Sequence, residues 1–375
     1  MARSFLPALL AVLTGLLSCA VLGRLPAHRR QASLRPNFYA ETTICRTTPG
    51  LTRAQMELCF GQPDATRAAL QGLAQSVKEC QHQFHNHRWN CSSLANRTRN
   101  PHTSAIFQKG FRETAFAYAV SSAGVVISVA RACSQGTLRN CGCDTHKYKM
   151  RGTRAQNSAW KWVGCSHNLR YGIKFSKMFL DARENGDDIH SEINLHNNNV
   201  GRMAVAANMQ VKCKCHGLSG SCEMKTCWRA VPDFRVVGKS LKDKFRSAVL
   251  VDQSNLANRN PKTRRLNQKK RKQRTKLKQW TPKQKQKRGL RNDLLYYEKS
   301  PNFCEKDQAL DVQGTSGRFC NRTHTDQGSC AALCCGRGYD LIMQRRTQTC
   351  NCRFHWCCTV ECQNCTVEEW ISICK

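Results

Sequence analysis

The chain is short of acidic residues, and beyond its N-terminus it lacks an apolar run long enough to cross a membrane. Only 25 Asp and Glu stand against 60 Lys and Arg in 375 residues, which gives a formal net charge of +35. A charge-free stretch, residues 115–130, is closely bracketed by charged residues and is shorter than the roughly 20 apolar residues that a transmembrane helix needs. The composition therefore argues against a bilayer-spanning channel or carrier. Its 40% of hydrophobic residues argue against wholesale disorder.

The middle of the chain also lacks cysteine, since none of the 25 lies between Cys227 and Cys304. So many thiols would be a liability in a reducing cytosol, and they predict an oxidising compartment. An apolar segment over residues 5–17, followed by small residues, predicts a secretory signal peptide over residues 1–20, because the segment is short for a membrane anchor. Its removal would take Cys19 and leave 24 cysteines, an even number that suits a fully paired set.

The cysteines divide the mature chain into two modules. Twelve fall in an N-terminal module that can form a hydrophobic core, and twelve fall in a short C-terminal module that must be stapled by disulfides. We expect an α+β fold with a helical N-terminal domain over residues 21–250, a basic linker over 251–300 and a small cystine-rich β domain over 301–375.

Apolar spacing predicts the helices of the first module. Residues 69–84, 103–133 and 169–183 each show a helical pattern, and the charge-free part of the second predicts a buried core helix. A fourth helix is expected over residues 189–209, broken by the three asparagines at 197–199.

The run Lys262–Arg288 carries 14 Lys or Arg and no acid, so it repels itself and is not expected to fold alone. The motif at residues 269–272 suggests a nuclear or nucleic-acid-binding arm, but a secreted protein rarely meets the nucleus. A solvated linker and a site for extracellular polyanions such as heparan sulfate are the other readings. We favour heparan sulfate, because counterion release drives binding to sulfated sugars as it does to nucleic acids.

Four sequons for N-glycosylation stand at Asn90, Asn96, Asn321 and Asn364. A cysteine is the middle residue at Asn90 and Asn364, and an early disulfide would slow modification there. Asn96 and Asn321 are therefore the sterically easiest sites.

Residues 213–227, the thumb hairpin, are the most informative stretch. Side chains on a strand repeat with period two, so Cys213 and Cys215 project from one face. Nested disulfides Cys213–Cys227 and Cys215–Cys222 would clamp a hairpin whose tip holds two glycines and Ser219. The result is a rigid loop that presents a serine.

Four uses of Ser219 compete. Catalysis with His216 as base is disfavoured, because the loop fails the G-x-S-x-G pattern and no third group is placed to orient the histidine. A zinc site of His216 and the cysteines conflicts with the oxidising compartment. A plain structural turn is the simplest alternative, and a hydroxyl offered to a modifying enzyme is the fourth.

The C-terminal module contains a second predicted hairpin, residues 350–365, which we call the finger hairpin. The spacing suits laddered disulfides Cys350–Cys365 and Cys352–Cys362. Its tip carries Phe354, Trp356 and Val360, which could be core residues or, on a stapled finger, exposed contact residues.

Together these motifs resemble the Wnt family of secreted signalling proteins over almost the whole mature chain. The resemblance rests on Cys-His-Gly-Leu-Ser-Gly-Ser-Cys at 215–222 with Lys-Thr-Cys-Trp at 225–228, and on further motifs at 88–91, 141–144, 160–165, 194–202, 300–304, 333–338 and 352–358. The basic run is longer than expected of a typical member.

The resemblance implies a lipid and a receptor. Ser219 would carry an O-linked palmitoleoyl chain added by the acyltransferase Porcupine, with Ser221 as the runner-up, and Wntless would carry the product. The lipid would enter a groove on the cysteine-rich domain of a Frizzled receptor, with Lys214 and Leu218 beside it. The fingertip, including Cys357 and Cys358, would make the second Frizzled contact.

The resemblance also implies the remaining disulfides. These are Cys80–Cys91, Cys133–Cys141, Cys143–Cys165, Cys304–Cys335, Cys320–Cys330, Cys334–Cys374 and Cys357–Cys358, with Cys45–Cys59 as the pair that remains.

We therefore expect a secreted, glycosylated and lipid-modified Wnt ligand of the extracellular space and matrix. We expect no enzymatic activity, no metal and no cofactor apart from the lipid on Ser219. Its partners would be Frizzled, an LDL-receptor-related co-receptor and heparan sulfate proteoglycans. The alternative is a heparin-binding matrix protein without agonist activity.

Overall fold

The computed structural model describes residues 38–95, 100–144, 161–184, 188–251 and 292–375, with side chains described outside 38–41 and 161–163. Residues 42–375 form one compact unit, and of the preceding unit only the start of the first helix is described. The expected signal peptide, the basic run Lys262–Arg288 and Asn96 lie outside the described residues.

Helices dominate the part of the described chain before residue 252, and one short helix follows in the C-terminal part. They are α1 (Phe38–Thr47), α2 (Arg53–Gly61), α3 (Pro63–Phe84), α4 (Arg112–Ser134), α5 (Leu169–Leu180), α6 (Ile189–Ala207), α7 (Phe234–Arg246) and the short α8 (Cys330–Leu333). Single 3₁₀ turns span Ser92–Leu94, Pro101–Thr103, Ala105–Gln108, Asp181–Arg183 and Leu218–Gly220.

The long strands lie in the C-terminal part. The strands are β1 (Lys161–Val163), β2 (Gln210–Cys215), β3 (Lys225–Ala230), β4 (Val249–Leu250), β5 (Leu295–Tyr296), β6 (Phe319–Cys320), β7 (Tyr339–His355) and β8 (Thr359–Cys374). They form three sheets, with strand orders β1-β3-β2, β4-β5 and β6-β8-β7. The expected α+β class is confirmed.

Side-chain caps set where several helices begin. Thr52 closes a capping box with Gln55 at the start of α2. Asn168, Asp188 and Asp233 each accept a hydrogen bond from a backbone N–H in the first turn of α5, α6 and α7.

Helix α4 is the centre of the core. It is the described helix that is long and apolar enough to cross a membrane, and 89% of its most apolar window is buried inside the protein. Its small residues allow backbone contact with two neighbours, because a Cβ added at Gly124 would overlap Gly72 O of α3 and one at Gly201 of α6 would overlap Ala119 O. The charge-free stretch is thus a core helix.

Helix α6 is continuous, so the expected break at residues 197–199 is wrong. Asn197 donates to Leu295 O at 2.9 Å and accepts from Leu295 N–H at 3.0 Å, while Asn198 donates to Asp181 at 3.2 Å. These asparagines bond to distant segments instead of competing for the backbone of their own helix.

Contacts join the helical part to the C-terminal part. The guanidinium of Arg318 donates to the carbonyls of Arg88 and His85 at 2.8 and 2.9 Å, and Arg88 Nε donates to Ala332 O at 2.9 Å. The domain boundaries at residues 250 and 300 stay a prediction drawn from the cysteine distribution.

The crossing of α4 and α6 positions the root of the thumb hairpin, because β2 begins three residues after α6 ends. We expect Gly201→Ala to cost about 1–3 kcal/mol of unfolding free energy, since the added methyl overpacks a backbone contact. Chemical denaturation measures this. Gly61→Ala is the control, because a Cβ there meets nothing within 4 Å. Equal stability of Gly201→Ala and wild type would contradict the close crossing.

Candidate functional site: two cystine-braced hairpins

The thumb hairpin is an antiparallel pair held by two disulfides. In the register of β2 and β3, Cys213 lies directly opposite Cys227, and their Cα atoms are 4.1 Å apart across the disulfide. Cys215 is bonded to Cys222, which lies in the loop before β3, with a Cα separation of 4.6 Å. Both nested pairs expected from the spacing are present.

The root of the thumb hairpin is braced by the chain before α5. Strand β1 pairs in parallel with β3. Gly164 N–H donates to Cys227 O at 2.9 Å, and His167 N–H donates to Arg229 O at 2.8 Å. The hairpin is therefore fixed to the core on one side and free at its tip.

The tip is one tight 3₁₀ turn that exposes its side chains. Gly217 N–H donates to Ser221 O at 2.9 Å, and Ser221 N–H donates to Leu218 O at 3.0 Å. Ser219 takes the left-handed conformation with φ +54°, which is uncommon outside glycine. Leu218 is 94% exposed and Ser219 is exposed. Within the described chain, no side-chain hydrogen bond occupies the Ser219 hydroxyl.

The arrangement does not equip Ser219 as a nucleophile. His216 Nε2 lies 2.9 Å from Thr226 Oγ1, so this ring nitrogen is engaged with a threonine rather than with the serine. A nucleophilic serine needs an adjacent base that a third group orients, and no such set stands here among the described residues. The four thumb cysteines are all in disulfides, so none is a thiolate for zinc.

The finger hairpin is the end of the long antiparallel pair β7 and β8. Disulfides Cys350–Cys365 and Cys352–Cys362 cross it, with Cα separations of 5.9 and 4.0 Å. A bulge interrupts the register between Cys350 and Arg353, where Asn351 has φ +48°. The laddered pairing expected from the spacing is present.

The fingertip carries a cluster of exposed apolar side chains. Phe354 and Val360 pair across the strands and so lie on one face, with 67% and 61% of their surfaces exposed. Trp356, at the turn, is 94% exposed. The alternative that these residues belong to a core is wrong.

A family model decides the identity of this two-hairpin molecule. The model of the Wnt family matches residues 47–375.

The chain belongs to the Wnt family.

A solved Wnt structure agrees with this assignment. A structure of human WLS in complex with WNT8A matches at 32% sequence identity with a TM-score of 0.55, over 83% of this chain and 94% of that chain. The Drosophila WntD N-terminal domain-linker matches at 18% identity with a TM-score of 0.41, over 64% of this chain and 98% of that chain, a likeness too weak to support an argument. Wnt proteins are secreted signalling ligands, and this chain is one of them.

The structure differs from the Wnt resemblance at one cysteine pair. Cys357 and Cys358 are free and exposed, whereas the other pairs implied by the resemblance are present. Both residues have positive φ in the turn, and the expected Cys357–Cys358 bond is absent.

The described sequons of this Wnt chain differ in surroundings. Asn90 is half-buried, and its side chain accepts a hydrogen bond from Ser92 N–H. Asn321 and Asn364 are exposed. Their glycosylation stays a prediction.

Sequence reasoning missed one thumb residue, Met224. It is 51% exposed, and its carbonyl accepts from His216 N–H at 2.8 Å. The sequence does contain a signal for this residue, because an apolar side chain is unusual in a polar loop that is closed by disulfides.

We expect Gly217→Ala to loosen the thumb tip of this Wnt chain without lowering global stability. A Cβ at Gly217 would overlap Ser221 Oγ and lie 2.7 Å from Ser221 O, so the turn must open. Amide hydrogen exchange over residues 216–224 should speed up. Gly142→Ala is the control, because Gly142, like Gly217, lacks a positive φ, but a Cβ there meets nothing within 4 Å. Unchanged exchange at the tip would show that the turn does not depend on this glycine.

Proposed function

We propose that this Wnt ligand binds the cysteine-rich domain of a Frizzled receptor through an acyl chain on Ser219 and through the fingertip. The observation that carries the proposal is the exposure of Ser219 on a turn closed by two disulfides. Porcupine would add the palmitoleoyl chain to this hydroxyl.

The acyl chain supplies the binding free energy of the first contact. Burial of each CH₂ contributes about 0.8 kcal/mol, so a single chain is a strong but reversible ligand. A braced hairpin adds to this by holding the chain in place before binding, which lowers the entropy lost in the complex. Leu218 at the tip extends the apolar surface, and Lys214 lies on β2, the strand that leads to the tip.

The fingertip supplies the second contact. Phe354, Trp356 and Val360 are large or branched side chains held by a stapled turn, so they lose little conformational freedom on binding. A contiguous exposed apolar cluster of this kind is typical of an interaction surface.

Transport of the ligand would depend on its lipid, and its retention near cells on its positive charge. An exposed acyl chain needs a carrier in water, and the WLS complex of WNT8A supports Wntless as the carrier of this chain. The net charge of +35 supports binding to heparan sulfate proteoglycans, which would keep the ligand near cells. Signalling would follow when Frizzled and an LDL-receptor-related co-receptor are clustered.

Ser219→Ala tests the first contact. We expect a folded chain that carries no lipid, is secreted poorly and loses binding to the Frizzled cysteine-rich domain. Mass spectrometry of the peptide that contains residue 219, and binding to the isolated receptor domain, are the readouts. Ser221→Ala is the matched control and should keep the lipid. An unmodified Ser219 in fully active secreted ligand would defeat the proposal.

Trp356→Ala tests the second contact. We expect weaker Frizzled binding, by about thirtyfold or more, because truncating a central aromatic anchor typically costs at least about 2 kcal/mol. The unfolding midpoint should not change, since Trp356 is exposed. Trp370→Ala is the control, because Trp370 is 65% exposed on β8 away from the fingertip. Equal affinity of Trp356→Ala and wild type would remove the fingertip from the interface.

A further inference from the structure

The sequon at Asn321 follows the edge strand β6 and is held rigidly. Asn321 N–H donates to Gly328 O, and Asn321 O accepts from Cys330 N–H, both at 3.0 Å. The disulfide Cys320–Cys330 adds a covalent brace at the preceding residue. Asn321 is therefore an exposed side chain on a fixed backbone.

The asparagine side chain is already arranged with its sequon partner. Asn321 Oδ1 accepts from Thr323 N–H at 2.9 Å and from Thr323 Oγ1 at 2.8 Å. Both bonds use the carbonyl oxygen, so Nδ2, the atom that N-glycosylation modifies, is left out of this pairing.

An exposed aromatic ring stands two residues earlier. Phe319 is 63% exposed at the end of the sheet, where it pairs with Ile373. Side chains two residues apart on an extended segment project to the same side, and their Cα atoms are about 6.6 Å apart. A sugar ring attached to the Asn321 amide would therefore lie within reach of the Phe319 ring.

A cavity of about 450 Å³ continues from this ring. Phe319, Asn321 and Thr323 line one side, and Gln344, Glu369 and Ile371 of the neighbouring strands line another. Gln344 and Glu369 are a cross-strand pair, so an amide and a carboxylate stand together in a lining to which Phe319 and Ile371 add apolar surface. Mixed apolar and hydrogen-bonding surface of this kind matches a sugar, whose ring has an apolar C–H face and polar edges.

We propose that the core of an N-linked glycan on Asn321 covers this cavity, with the first N-acetylglucosamine packed on the ring of Phe319. The following sugar meets Gln344 and Glu369. The glycan is then a structural part of the C-terminal sheet, because it removes Phe319 from water. The inference rests on the proposed passage of the ligand through the glycosylating secretory route.

The other described sequons lack this arrangement. The residue two before Asn364 is Cys362, which is in a disulfide, and the residue two before Asn90 is Arg88. Asn364 therefore provides a control glycan without an aromatic partner.

A double-mutant cycle on the secreted full chain tests the proposal. Mass spectrometry first measures occupancy of Asn321, and thermal unfolding is then compared for wild type, Asn321→Gln, Phe319→Ser and the double variant. We expect Asn321→Gln to lower Tm by about 2–4 °C when Phe319 is present and by less than about 1 °C when it is serine. Asn364→Gln should leave Tm unchanged in both backgrounds.

Phe354→Ser is the control for loss of an exposed ring, since Phe354 is 67% exposed but distant in the hairpin register from β6. It should show no coupling with Asn321→Gln. If Phe319→Ser is not secreted, Phe319→Leu replaces it, because leucine keeps an apolar edge without the ring. When the glycan on the folded wild type is trimmed enzymatically to one N-acetylglucosamine, most of the Tm difference between wild type and Asn321→Gln should remain.

Additive effects of Asn321→Gln and Phe319→Ser would overturn the proposal, and so would secreted ligand with Asn321 unoccupied. These outcomes would overturn the glycan proposal and leave the proposed Frizzled binding through Ser219 intact. Secreted active ligand with an unmodified Ser219, but with coupling between Asn321 and Phe319, would overturn the proposed function and leave the glycan proposal intact.

Discussion

The proposed contact residues of this Wnt chain lie outside the hydrophobic core, so disulfides must hold them in place instead of burial. A two-stranded hairpin alone is marginally stable in water. In the thumb hairpin Val211, Cys213 and Lys214 are exposed, and most of β7 and β8 is exposed as well. Two disulfides cross each hairpin and restrict the unfolded chain instead. The rest of the molecule provides a fixed base for these two projections.

That base is a helical core held together by close packing. Helix α4 is buried on nearly all sides, and small residues let α3 and α6 approach its backbone. The segments that follow α6 and precede α7 are the two strands of the thumb hairpin, so close packing at the core sets where Ser219 stands. The C-terminal sheet is attached through Arg88 and Arg318, which fixes the root of the finger hairpin.

Local sequence patterns predicted much of the structure. The errors arose where a partner distant in the sequence decides the local conformation. The period-two spacing of Cys213 and Cys215 gave the nested thumb disulfides, and apolar periodicity gave the main helices. Spacing alone cannot choose among the many pairings of 24 cysteines, so most pairs needed the family resemblance. The continuity of α6 was missed because Asn197 is satisfied by Leu295, 98 residues away. The exposure of Phe319 beside Asn321 was missed because it depends on where β6 ends.

The central claim is that the inner thumb disulfide holds Ser219 in the form that is acylated and bound. The direct measurement compares a Cys215→Ala/Cys222→Ala variant with a Cys133→Ala/Cys141→Ala variant, because these disulfides close loops of similar separation, 7 and 8 residues. Acylation at residue 219 and affinity for the Frizzled cysteine-rich domain are measured for both. The account predicts that the first variant loses both properties while its helical content persists, and that the second retains both. Full acylation and wild-type affinity without the Cys215–Cys222 bond would contradict it.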